Sequence, residues 1–419
     1  MISSRPGANN FGPRIMQLAD HLAQWSEQEG ALTVTYFSPA HKRVAAELDA
    51  LLRAAGMDVR TDPLGNVIGR YPSGVPGAKT LLVGSHYDTV RDGGKYDGRL
   101  GILLPLALIE HLHASGQRLP FNIELLCFSE EEGVRFPVAY LGSQAIAGKF
   151  DAQNLDKADD NGVPLRKVLE EAAVDVNSLG ILARDPSDLI GYVEVHIEQG
   201  PSLLNANLPV AIVTGIAGDV RHRIAITGEA GHAGTVAMQF RHDAAAAAAE
   251  MVLAVEKRCS GQASLVGTVG QLIVPNGAMN VIPGRCEFST DIRAATNEMR
   301  DAAVMDVLVA FNEISRNRGV KVEATEVLRM PAIPLSPFLQ ERLAASAKRL
   351  GVEPLLLPSG AGHDAAMMAS LCESAMMFVR CGNGGVSHSP REIITEDDAD
   401  FAARVLFDFL VSLADEYVS

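Results

Sequence analysis

The segment from Gly84 to Gly98, GSHYDTVRDGGKYDG, sets one histidine and three aspartates in a glycine-punctuated loop directly after the apolar run KTLLV. Charge gathered at the mouth of a buried strand is unfavourable unless something positive compensates it. A metal ion is the simplest partner, and the rest of the chain must then supply the missing ligands. The run FNIELLCF ends just before Glu130-Glu131-Glu132, GYVEVHIEQG carries His196, and AMMFVRCGNGGVSHSP leads into His388. His86, Asp97, Glu132, His196 and His388 thus form a donor set of nitrogen and oxygen without cysteine. Such a set suits zinc, manganese, cobalt or nickel without choosing among them. With one shared carboxylate it could hold two ions roughly 3.5–4 Å apart. Spacing alone does not separate the roles of the three adjacent glutamates.

The elements that must position these residues follow from periodicity and punctuation. SPAHKRVAAELDALLRAAG predicts a helix with Ser38 as its cap, Pro39 in its first turn and Gly56 as its stop. Lys79 to Gly84 predicts a short buried strand, Gly98 to Ser115 a helix, and Phe121 to Phe128 the next strand, a unit of the length a parallel crossover needs. Gly191 to Gly200 predicts another strand. Sites in open α/β sheets form beyond the carboxyl ends of the strands. That is where His86, the acidic triplet and His196 fall.

From about Ala217 the pattern changes. A half-exposed strand in RHRIAITGEAG, an alanine-rich helix, the strands LVGTVGQLIV and RCEFSTDIRA, a long helix and the strand KVEATEVLR follow one another. The order βαββαβ is that of a ferredoxin-like domain. The expected organisation is therefore an α/β catalytic domain made of residues 1–216 and 331–419, interrupted by a smaller domain over 217–330. Thr395 is placed to cap the C-terminal helix.

Bulk properties narrow the class. A chain of 419 residues implies two domains by default, and 47% apolar with 21% charged residues is ordinary for a globular protein. A net charge of −15 argues against nucleic acid and anionic membrane as partners. Five scattered cysteines form neither a disulfide framework nor a zinc-finger pattern, which predicts a reducing, cytoplasmic setting. The opening MISSRPGANNFGPR lacks the apolar core of a leader, and LGILLPLALI is too short to cross a bilayer.

The ordered motifs GSHYDTVRDGGKYDGRLG, SEEEGVRF, EVHIEQGP, GHAGTVAM, NVIPG, DIR, SGAGHDA and VSHSP span nearly the whole chain. In that order the sequence resembles the hydantoinase/carbamoylase-type amidases of the binuclear-metal aminoacylase and glutamate carboxypeptidase superfamily. The resemblance implies a discontinuous metallohydrolase domain with an inserted ferredoxin-like dimerisation domain, and two divalent metal ions per subunit. Asp97 would bridge the ions, with Glu132 and His388 on one and His86 and His196 on the other. Asp88 would orient His86, Glu131 would be the general base, and Glu130 would be an ordinary exposed residue.

His232 resembles the family histidine that reaches the partner subunit's site, although GHAGTVAM lacks a threonine and a proline usual in that loop, an absence expected to loosen it. Arg293, which alone would be taken for a surface ion-pair former, resembles the arginine that grips the substrate carboxylate. Gln199 and Asn280 resemble polar substrate contacts, and Gly360 and His363 are placed towards the ureido end. The implied activity is hydrolysis of a linear ureido C–N bond, with allantoate favoured and N-carbamoyl-L-amino acids or β-ureidopropionate as the alternative. The implied partners are a small ureido-carboxylate substrate and a second copy of the chain. A catalytically silent binding protein on the same scaffold would have no need of Glu131.

Overall fold

A computed structural model describes residues 10–418; most of the opening stretch read for a leader lies outside the described residues. The chain forms two compact units. One comprises the chain up to Thr214, Leu335–Leu357 and the part from His363 on, and the other comprises Gly215–Pro334 with Pro358–Gly362. Gly360, expected within the second catalytic segment, therefore groups with the smaller unit.

The larger unit is built on a mixed sheet of β1 (Asp58–Thr61), β2 (Val67–Tyr71), β3 (Thr80–His86), β4 (Asn122–Phe128), β5 (Leu189–Ile197), β6 (Val210–Ile216) and a late strand, Ser374–Val379. The late strand lies between β5 and β6, giving the order β1-β2-β4-β3-β5-late-β6. The four central strands β4, β3, β5 and Ser374–Val379 are parallel. Their register pairs His86 with Phe128 and His196 with Phe378, so all four carboxyl ends meet at one edge.

β3 runs two residues past its expected end because Ser85 and His86 pair with Cys127 and Phe128. His86 is thereby part of the ladder. The helix Leu100–Ala114 joins β3 to β4 and is apolar on nearly every side, as befits a helix enclosed by others. It is buried with the helices Gly12–Leu22 and Glu396–Val418 in one large core. Ser38 accepts from the His41 amide at the start of the helix Pro39–Ala54, and Thr395 accepts from the Asp398 amide at the start of Glu396–Val418.

In the smaller unit β7 (Gly218–Thr227), the helix Ala244–Cys259, β8 (Leu265–Thr268), β9 (Leu272–Ile273), β10 (Arg285–Ala294), the helix Asn297–Arg318 and β11 (Lys321–Met330) follow in order. β8 and β9 both pair with β10, β10 with β7, and β7 with β11, all antiparallel. Strand alternation turns Val220, Ile224, Phe288 and Ile292 inward onto Met251 and Phe311 of the helices. LVGTVGQLIV, expected as one strand, is divided. Thr268 opposes Asp291 and Leu272 opposes Phe288, so β8–β9 holds one residue more than its partner and bulges around Gly270.

Among the described residues no helix is long and apolar enough to cross a membrane, and the five cysteines are all free.

Candidate metal centre

His86 and His196, at the ends of β3 and β5, are almost wholly buried. The Nδ1 atom of His86 faces the Asp88 carbonyl oxygen at 3.2 Å and its carboxylate at 3.5 Å. That of His196 faces the Ile197 carbonyl at 2.9 Å. A proton on each Nδ1 satisfies these acceptors and leaves each Nε2 with a lone pair; the Gly98 amide, which donates to His196 Nε2 at 3.1 Å, fits that tautomer. Both Nε2 atoms point at the same oxygen, Asp97 Oδ1, at 3.6 and 3.2 Å. Against burial, Asp88 and Asp97 raise the proton affinity of His86, and Asp97 and Glu194 that of His196. The converging nitrogens and carboxylate thus call for positive charge among them, a proton or a bound cation.

The other carboxylate oxygen serves a second group. Asp97 Oδ2 lies 3.2 Å from His388 Nε2, which is 3.6 Å from Glu132 Oε1. Gln199 donates its amide to Asp97 Oδ2 at 2.8 Å. His86–Asp97–His196 and Asp97–Glu132–His388 are thus two groups able to hold an ion, joined by one carboxylate. Gly98 makes this possible. Its φ of +65° is a left-handed turn, and a Cβ there would lie 2.4 Å from the His86 ring.

The carboxylates crowd one another. Burial pushes Glu131 well above its usual range, and the charges of Glu132, Asp364 and Asp88 add to this, with His86 opposing. Burial and then Asp97 push Glu132 up to about 7. Hydrogen bonding to Asp97 raises His388 to about 9, against its partial burial. A pocket that raises its acids in this way favours added positive charge, and its oxygen and imidazole donors fit a divalent ion. Asp88, fully buried, accepts from the Glu131 and Glu132 amides at 3.1–3.2 Å as well as facing His86, so it fixes the acidic turn together with the ligand ring.

Glu130 requires a correction. Expected at the surface, it is wholly buried with φ of +56°, and its carboxyl has at most weak contacts with the backbone of Arg135 and Phe136. Burial, then the charge of Asp88, holds it well above the usual carboxyl range. The turn that aims Glu131 at the ligand group points its neighbour into the interior.

Sequence reasoning also passed over Glu392, which is buried and accepts from the Tyr96 and Asp97 amides at 2.8 and 3.1 Å. It passed over Glu194, held by Ser85, Tyr192 and the Ala365 amide, and the buried Asp364 as well. Glu392 lies four residues beyond His388, a proximity that could have singled it out. His363 is buried edge-on to the His196 ring, with centroids 4.4 Å apart.

In the smaller unit His232 is exposed, pairs with Val281 and accepts from the Gly234 amide at 3.1 Å. Arg241 donates to the carbonyls of Ala233 and Val236, tying down the loop that lacks the usual threonine and proline. Asn280 is exposed, and its carbonyl accepts from the Ala233 amide at 3.0 Å. Arg293 gives its Nε–Nη2 edge to Asp291 at 3.0 and 2.8 Å and donates from Nη1 to the Gly360 carbonyl at 2.8 Å.

The sequence profile of peptidase family M20/M25/M40 matches residues 82–412. An N-carbamoyl-L-amino acid amidohydrolase of Geobacillus stearothermophilus is 37% identical over 96% of this chain and 98% of its own. Allantoate deiminase 2 of Glycine max is 36% identical over 94% of this chain and 88% of its own. A hydantoinase/carbamoylase family amidase from Burkholderia multivorans shares the fold with a TM-score of 0.90 at 28% identity, covering 96% of this chain and 98% of its own.

Proposed function

The chain belongs to peptidase family M20/M25/M40, and on that premise we propose that it is a metal-dependent amidohydrolase of linear ureido groups, with allantoate the favoured substrate and ammonia a product. The observation that carries the reading is the division of Asp97 between two histidine-containing ligand groups, with the Glu131 carboxylate 3.9 Å from His86. Relatives named for both allantoate and N-carbamoyl amino acids support the ureido class.

In this reading His86, Asp97, Glu132, His196 and His388 hold two divalent ions of zinc, manganese, cobalt or nickel, with Asp97 shared. When bound, such ions polarise a ureido carbonyl and acidify water. Glu131 takes the proton of the attacking water and returns it to the leaving nitrogen; its raised affinity for protons suits that exchange. Asp88 holds the His86 ring and the backbone of Glu131 at once. Arg293 grips the substrate carboxylate, with Gln199, Asn280 and Gly360 as polar contacts and His363 bordering the ureido end from beside His196. His232 stabilises the oxyanion of a partner subunit's reaction, which makes the working form a homodimer joined through the smaller unit. Net charge and cysteine usage fit a cytoplasmic enzyme of small anionic substrates rather than one that meets nucleic acid or membrane.

The coverage of 98% of the Geobacillus relative favours a second reading, hydrolysis of N-carbamoyl-L-amino acids at the same centre. Steady-state kcat/KM on allantoate and on N-carbamoyl-L-methionine decides between them. Allantoate should be preferred; a strong preference for the carbamoyl amino acid promotes the second reading. Turnover of neither by ion-loaded protein sinks both. Arg293→Lys should lose about 2–4 kcal/mol of transition-state binding on either substrate, because an ammonium cannot copy the planar fork.

A further inference from the structure

Glu392 joins two loops that each deliver a ligand. Its Oε1 accepts from the Tyr96 and Asp97 amides, on the loop that carries Asp97. Its Oε2 lies 3.1 Å from the hydroxyl of Ser387, the residue before His388. That same hydroxyl lies 2.8 Å from Asp97 Oδ2. The carboxylate is 3% exposed, and a Cβ on Gly94 would fall 2.2 Å from it, so glycine at 94 gives it room.

The two ligand groups depend on this contact to different degrees. His86 and His196 are strand residues whose Nδ1 atoms are anchored on Asp88 and Ile197. His388 has no strand beneath it, stands at φ +53° and leaves 51% of its side chain exposed. Its loop is closed at the base by Gly382 donating to Ile393 and in its middle by Glu392. Without that carboxylate the Ser387–His388 segment and the Oδ2 side of Asp97 keep only the Ser387–Asp97 contact and the Gln199 amide, 2.8 Å from Asp97 Oδ2 and 3.3–3.4 Å from His388 and Ser387. They lose the anchor that ties both loops to the backbone. Oδ1 stays between two imidazoles fixed by strands.

We propose that Glu392 is a positioning residue that clamps the loop-borne half of the metal centre, setting ion affinity at Asp97–Glu132–His388 while leaving His86–Asp97–His196 nearly unaffected. The proposal rests on the two-ion reading above. It predicts that the clamp works through hydrogen bonds rather than charge, because a glutamine could keep the Oε1 acceptor and donate to Ser387 from its Nε2.

The test is calorimetric titration of chelator-stripped protein with Mn²⁺, with folding followed by circular dichroism and His388→Ala identifying the loop-borne position. Wild type should bind two ions. Glu392→Ala should weaken the position lost in His388→Ala by about 10–100-fold, the scale for partners that orient ligands, and shift the other by less than about threefold. Glu392→Gln should restore most of the loss. Equal affinities in Glu392→Ala and wild type, equal weakening of both positions in folded protein, or failure of Glu392→Gln to rescue would each overturn the clamp. A single ion in wild type would overturn the two-ion reading itself, and is seen before any variant is compared. Should Glu392→Ala not fold, Ser387→Ala decides: selective weakening of the loop-borne position supports the clamp, and unchanged affinity overturns it.

Discussion

His86 and His196 differ from Glu132 and His388 in what holds them, although both pairs address one aspartate. The first pair ends hydrogen-bonded strands and is 2% and 1% exposed. The second pair stands on turns, and His388 is half exposed. Strands hold ligands more rigidly than loops do, so one half of the centre is preorganised and the other depends on contacts such as the Glu392 bridge. The sharpest way to break this contrast is to remove one imidazole from each half. His196→Ala should lose ions from both positions, lower turnover by at least about 10³-fold and reduce thermal stability, because it leaves buried acid without its partner. His388→Ala should abolish turnover to a similar degree yet keep one ion and nearly the wild-type melting temperature. Metal analysis and thermal scans read both. Identical metal content and melting in the two variants would dissolve the distinction.

Glu130 and Glu131 give a second contrast one residue apart. Glu131 lies 3.9 Å from the His86 ring and Glu130 faces the interior, away from that group. Glu131→Gln should retain both ions but lower kcat by about 10²–10⁴-fold, the scale for a positioned base. Glu130→Gln should change kcat by less than about threefold, since burial and the charge of Asp88 favour the neutral carboxyl and glutamine is its neutral isostere. A large loss in Glu130→Gln with normal turnover in Glu131→Gln would exchange their roles.

The two contrasts show where the sequence was informative. His86, His196 and the acidic triplet follow apolar runs, so their place at one sheet edge follows from strand periodicity and the rule that sites lie beyond parallel strands. In the smaller unit the alternation of RHRIAITGEAG and RCEFSTDIRA marked strands that the sheet contains, whereas LVGTVGQLIV reads as one strand until its pairing shows the bulge. What escaped depends on contacts distant in the chain. Glu130 in an acidic triplet has the composition of a solvated turn, and nothing nearby announces that the Asp88 carboxylate fixes that turn from 43 residues away. Glu392 sits in a polar stretch, and its meaning comes from Tyr96 and Asp97, almost 300 residues earlier. Periodicity identifies which face a strand buries; it carries no information about which polar side chain bridges two loops.

The smallest expected effect concerns the support beneath the strand-borne half. Tyr87, the residue after His86, packs at 4.7 Å between ring centroids on His41, which also meets Tyr36 and Phe37. His41 is buried, and its Nε2 has no hydrogen-bond partner. Burial lowers its pKa to about 4, with Asp88 opposing and Lys42, Arg135 and Arg99 assisting. The unfolded chain, with an ordinary histidine near 6.5, therefore binds the proton more tightly than the native state. Stability from this group is complete above about pH 6.5 and falls as pH drops towards 4, by at most about 3 kcal/mol. His41→Phe keeps an apolar ring against Tyr87 and removes the titration. The difference in unfolding free energy between wild type and His41→Phe, measured in urea at several pH values, should be flat above pH 6.5 and shift in favour of the variant below it. Parallel profiles from pH 7 to 4 would show that this ring does not titrate on unfolding, and that the acid sensitivity of the strand-borne half lies in its ligands.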